Sequence, residues 1–174
     1  MFRDHAKIMR LVELVGEVTG RKKLHKMVYI AKKLQVDFDE HFGFHMYGPY
    51  SEELTMKVDE LCNLGLLDEC KESKGAVDTY RYTLNEAGRD FLRYQNVDLG
   101  HGTYLIRRMN EENSRFLELV STVLYFEQLS YEEMCNKVLT LKSMQRYTDD
   151  EIQRAIGFLA ELRDLPGQTE EVGS

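Results

Sequence analysis

The chain contains no tryptophan, only two prolines and only three cysteines in 174 residues. So little proline leaves long helices uninterrupted. Cys62, Cys70 and Cys135 are odd in number, widely spaced and form no CxxC pair. That excludes a disulfide framework and a zinc finger or ribbon, and it implies reduced thiols in a cytoplasmic protein. No apolar run approaches the roughly 20 residues needed to cross a bilayer, so no membrane association is expected. Met1 to Arg10 lacks a long apolar stretch, so no signal peptide is expected. The chain also lacks a glycine-rich phosphate loop, a GxSxG elbow and an HExxH pair, and these absences point to a protein that is not an enzyme and carries no cofactor.

What is present is an ordinary globular composition, 43% hydrophobic and 30% charged. The length suits one domain, or one with a small helical annex. The net charge of −7 is unevenly spread. Residues 1–35 carry nine Lys/Arg against three Asp/Glu, residues 36–78 three against eleven, and residues 79–174 eleven against sixteen. A basic first third therefore precedes an acidic remainder.

Apolar spacing predicts a first helix over residues 4–18, through Ile8, Leu11, Val12, Val15 and Val18, and a second over 21–34, through Leu24, Met27, Val28, Ala31 and Leu34. Residues 42–47 read as a short strand. Gly48-Pro49 is a turn signal, and Ser51 caps a third helix over 52–64. Residues 66–70 and 79–84 read as two strands joined by a polar tip at 71–78 containing Gly75. Asn85 caps a further helix to Tyr94. A linker follows at 96–103, then helices over about 104–127, 131–142 and 149–163. Ser130-x-x-Glu133 and Thr148-x-x-Glu151 are capping boxes that open the last two. Residues 166–174 read as a disordered tail.

The fold class expected is mainly α with a small antiparallel β wing: a winged helix-turn-helix-like domain over 1–95 and a helical unit over 104–165. The stretch Tyr82-Thr83-Leu84-Asn85-Glu86-Ala87-Gly88 resembles the end of the last wing strand in many bacterial winged-helix regulators. Gly20 to Ile30, Tyr47-Gly48-Pro49-Tyr50-Ser51 and Leu117 to Tyr125 resemble the uncharacterised YwgA-like proteins of bacilli, over residues 1–165. More distantly, Leu24, Lys26, Val28 and Tyr29 with the following Gly-Pro are similar to the Panacea domain of SocA-like antitoxins. That second resemblance implies a role in binding protein; the first implies a fold and no known chemistry.

Two surfaces are candidates for function. A protein-partner site is placed at Tyr47, Tyr50, Glu53 and Lys57. Tyr47 and Tyr50 would be rigid aromatic anchors, or would pack under the first two helices and fix the entry of the third. An alternative nucleic-acid site is placed at Arg21, Lys22, Lys23, Lys26 and Lys33 on the second helix, where clustered cations would neutralise phosphates. The bland reading of that cluster is a solvated face paired with acidic residues. The third helix argues against major-groove docking, since its exposed positions carry Glu52, Glu53, Asp59 and Glu60 against Lys57. His41 and His45, four apart on a strand, would stand roughly 13 Å apart, too far to share a metal, and no metal is expected. The resulting expectation is a non-enzymatic regulatory or adaptor protein that binds another protein and is antitoxin-like, with a DNA-binding regulator as the alternative. The C-terminal apolar faces and the split charge suggest a homodimer.

Overall fold

A computed structural model describes residues 2–46 and 48–166. The protein is mainly helical, with a small antiparallel sheet and a helical C-terminal part. Helix α1 (Arg3–Val15) ends at Gly16, whose φ of 82° is open to glycine. The sequence reading extends this helix to Val18. Instead the chain turns at Gly16 into strand β1 (Glu17–Thr19), where Val18 is buried opposite Tyr82. Gly20 (φ 106°) then opens α2 (Arg21–Lys33).

Strands β2 (Gly43–His45) and β3 (Gly48–Tyr50) pair antiparallel, with Phe44 opposite Pro49. Gly48-Pro49 is therefore strand rather than turn, and a turn is seen at Met46. Helix α3 (Glu52–Asn63) opens at Ser51, whose hydroxyl accepts from the Leu54 N–H. Strands β4 (Leu67–Lys74) and β5 (Val77–Leu84) form a hairpin longer than its apolar pattern implies. Its distal half is held by polar cross-strand contacts such as Lys71 with Asp78. The sheet order is β1-β5-β4, so the hairpin's partner strand is β1, between the first two helices, while the strand expected at 42–47 is β2 and pairs with β3 instead. Helix α4 (Glu86–Arg93) is capped by the Asn85 carboxamide, as expected.

The helix expected over 104–127 is two helices, α5 (Gly102–Asn110) and α6 (Ser114–Tyr125). The break is local: the Asn113 side chain caps α6 by accepting from the Phe116 N–H. Helices α7 (Tyr131–Leu141) and α8 (Asp149–Arg163) follow. Thr148 and Glu151 form a reciprocal capping box on α8, whereas on α7 Ser130 alone supplies the cap. Pro166 is the last described residue; the rest of the expected tail lies outside the described residues.

Helix α2 is the centre of the molecule. Nine consecutive residues, Lys23 to Ala31, are buried, because α6, α5 and β3 enclose it on several sides. One continuous hydrophobic cluster runs from α1 through α2 to α6 and α8. No helix among the described residues is long and apolar enough to cross a membrane.

Candidate functional site

The first turn of α2, the β2–β3 hairpin and the distal half of β5 surround a groove of about 930 Å3. Its aromatic wall is Tyr50, Tyr80 and Tyr82, with Pro49, Met46 and Val77 beside them. Met46 and Val77 are exposed, and Tyr80 is partly so. Arg21, Lys22, His25 and Lys26 line the α2 side. A groove of this size, mostly apolar with a few convergent polar groups, has the character of a binding site.

Arg21 does not present a free cation to it. Its Nε donates to the Tyr82 hydroxyl at 2.8 Å, and its Nη2 donates to Asp59 and Glu69, each at 2.8 Å. Tyr82 in turn donates to Glu69. Despite the cost of burial, these partners hold the guanidinium pKa above its usual value.

His25 is buried at 2% exposure. Its Nδ1 accepts from the Ser51 N–H at 3.2 Å, which leaves the ring proton on Nε2, 3.1 Å from the Thr55 hydroxyl oxygen. Thr55 then donates to the Tyr50 hydroxyl. Burial, with Lys26 and Arg21 nearby, lowers the His25 pKa to about 3. This imidazole is neutral across the physiological range.

Lys26 lies at the groove floor, also 2% exposed. Its ammonium donates to the Lys22 carbonyl at 3.3 Å. Burial and the charges of Lys22 and Lys142 lower its pKa to about 8, against the pull of Glu118. Behind it, Lys142 pairs with Glu118 at 3.1 Å, donates to the Met46 carbonyl and stands over the Phe44 ring. Gly48 (φ 94°) lets β3 approach this floor, its Cα facing Ser121, Glu118 and Thr122 of α6.

The residues singled out from the sequence are thus dispersed. Tyr50 is in the groove, stacked on His25, which is the packing role under the second helix; Tyr47 lies outside the described residues. Glu53 and Lys57 point elsewhere. Glu53 accepts from His41 at 2.6 Å, and Lys57 reaches the buried Glu40 carboxylate. Of the five α2 cations singled out, Arg21, Lys22 and Lys26 reach the groove. Lys23 is buried and donates to the Asn110 carbonyl at 2.9 Å, while Lys33 is exposed at the far end of the helix. The expected basic surface is therefore partly interior, because α2 is a core helix. Sequence reasoning missed Tyr80 and Tyr82 as groove residues, and the Glu118–Lys142 pair whose charges act on Lys26. The tyrosines carried a signal, alternating along a strand; Glu118 and Lys142 sit on separate elements and carried none.

No protein-family model matches the chain. The chain is 50% identical over 165 residues to the uncharacterised protein YwgA of Bacillus subtilis (strain 168), a match that covers 95% of this chain and 99% of that protein. The protein belongs to the YwgA-like family.

Proposed function

We propose that this protein is a non-enzymatic regulatory or adaptor protein of winged-helix type, antitoxin-like in role, which binds another protein through the groove between α2, the β2–β3 hairpin and β5. The observation that carries the reading is the groove itself, open and tyrosine-walled, with an exposed apolar rim at Met46 and Val77. Tyrosine and methionine are among the residues enriched at protein interfaces and their hot spots. The winged-helix reading is supported by the strand between the first two helices, which pairs with a two-stranded wing. The distant resemblance to the Panacea domain also points to protein binding.

Binding of DNA through α2 has less support. Arg21 is spent on Asp59 and Glu69, and Lys23 and Lys26 are buried. Phosphate neutralisation needs cations free to reach the backbone. Homodimerisation fits the apolar residues left exposed around α7, among them Leu139, Leu141 and Met144.

The test is affinity capture from native lysate with wild type and Met46→Glu/Tyr80→Glu in parallel. A stoichiometric protein captured by wild type and lost by the variant is the expected result. Equal capture by both, or no stoichiometric partner at all, would count against the reading.

A further inference from the structure

Lys26, which lines the groove, sits in electrically unbalanced surroundings. Two buried ammoniums, Lys26 and Lys142, share one buried carboxylate, Glu118. Glu118 is committed at 3.1 Å to Lys142, which has a further acceptor in the Met46 carbonyl. Lys26 carries three ammonium protons, and among the described residues its one hydrogen-bond acceptor is the Lys22 carbonyl, at the long distance of 3.3 Å. A buried charge left without a counter-ion is costly, and a protein that keeps one at the bottom of an open groove gains when an anion enters.

The other charged groups around Lys26 do not supply that anion. Glu69 is held by Arg21 and Tyr82, and Asp78 by Lys71 and Ser73. Lys22, on the same helix, adds positive charge, and His45 packs against the Tyr50 ring. We propose that this groove is a carboxylate-binding site with the Lys26 ammonium as counter-ion, the carboxylate being borne by a small organic acid or by an acidic side chain of a bound protein segment. The second source rests on the protein-binding reading above; the first does not.

The walls suit both. Tyr50, Tyr80 and Pro49 offer flat apolar area to a ring or aliphatic body. Strand β1 covers β5 only from Thr83 to Arg81, with one further bond from the Gly20 N–H to the Tyr80 carbonyl. Beyond that point Val77 to Thr79 line the groove. An extended segment can lie along this stretch and turn an acidic side chain toward Lys26.

The probes are sodium phenylacetate, the peptide acetyl-Val-Glu-Val-amide and its Glu→Gln counterpart. They are titrated into the full chain with lysine side-chain carbons observed by NMR. Binding of an anion favours the charged amine, so the Lys26 titration midpoint moves upward on saturation, and affinity falls about tenfold per pH unit once pH passes the midpoint of the free protein. Lys26→Met keeps an unbranched side chain only one atom shorter and leaves Glu118 and Lys142 as a balanced pair; it is expected to weaken binding at least about tenfold. Tighter binding of phenylacetate assigns the site to a free acid, and binding of the Glu peptide but not the Gln peptide assigns it to a protein segment. The proposal is overturned if no carboxylate probe binds at millimolar concentration, if Lys26→Met binds as wild type does, or if the wild-type Lys26 midpoint is unmoved. Equal binding of the Glu and Gln peptides also overturns it, while leaving the protein-binding reading to be judged by capture.

Discussion

The His25 ring lies flat on Tyr50, with centroids 4.5 Å apart and planes 5° from parallel. This contact ties α2 to the strand that delivers α3, and it works only with a neutral imidazole, because Nδ1 must accept from the Ser51 N–H.

The consequence is a pH dependence with a definite sign. Unfolded, His25 takes up a proton below about 6.5. Folded, it resists protonation until about pH 3. Its contribution to stability is therefore complete above pH 6.5 and is lost as pH falls from 6.5 toward 3, at no more than about 1.4 kcal/mol per unit. Urea unfolding at pH 7 and pH 5 is the check. The loss between the two should be smaller by about 2 kcal/mol in His25→Gln than in wild type.

Lys26 should cost stability. Its pKa is lowered to about 8, so at neutral pH the folded protein holds a buried charge that the unfolded chain solvates freely. As pH rises from about 8 to its unfolded value near 10.5, that penalty disappears and stability rises. Lys26→Met is expected to raise the unfolding free energy by about 1–3 kcal/mol at pH 7, measured by urea denaturation. Such a cost in stability fits the binding role proposed for this lysine.

Tyr82→Phe should destabilise by about 1–2 kcal/mol. The hydroxyl accepts from Arg21 and donates to Glu69 in a wholly buried position, and its removal leaves both short of a partner. Thermal unfolding of the single variant beside Arg21→Met/Tyr82→Phe tests the coupling, since the second loss should be less than additive.

Gly88→Ala should cost about 2–4 kcal/mol although alanine favours helices. A Cβ there would stand 2.1 Å from the Leu66 carbonyl oxygen, which is backbone and cannot swing aside. Calorimetry gives the cost directly.

Much of this fold was readable in the chain because its helix starts are chemically marked. Ser51, Asn85, Ser130 and Thr148 each cap the helix they were expected to open. The errors fell where tertiary contacts override local pattern. Val18 fits a helical apolar stripe but is taken by Tyr82 across the sheet. Gly48-Pro49 reads as a turn but pairs with β2. The groove was harder to see. Tyr50 and the cations of α2 are conspicuous, yet which cations are buried depends on α5 and α6, more than 75 residues downstream. The partnership of Glu118 with Lys142 depends on three-dimensional packing and leaves no spacing to read.

The most direct test of a protein-binding groove is amide hydrogen exchange on the complex with the captured partner, read against the free protein. We expect slowed exchange at Gly48, Tyr50 and Val77 to Tyr80, with little change on α8. Protection confined to α7 or α8, with exchange around the groove unaltered, would contradict it.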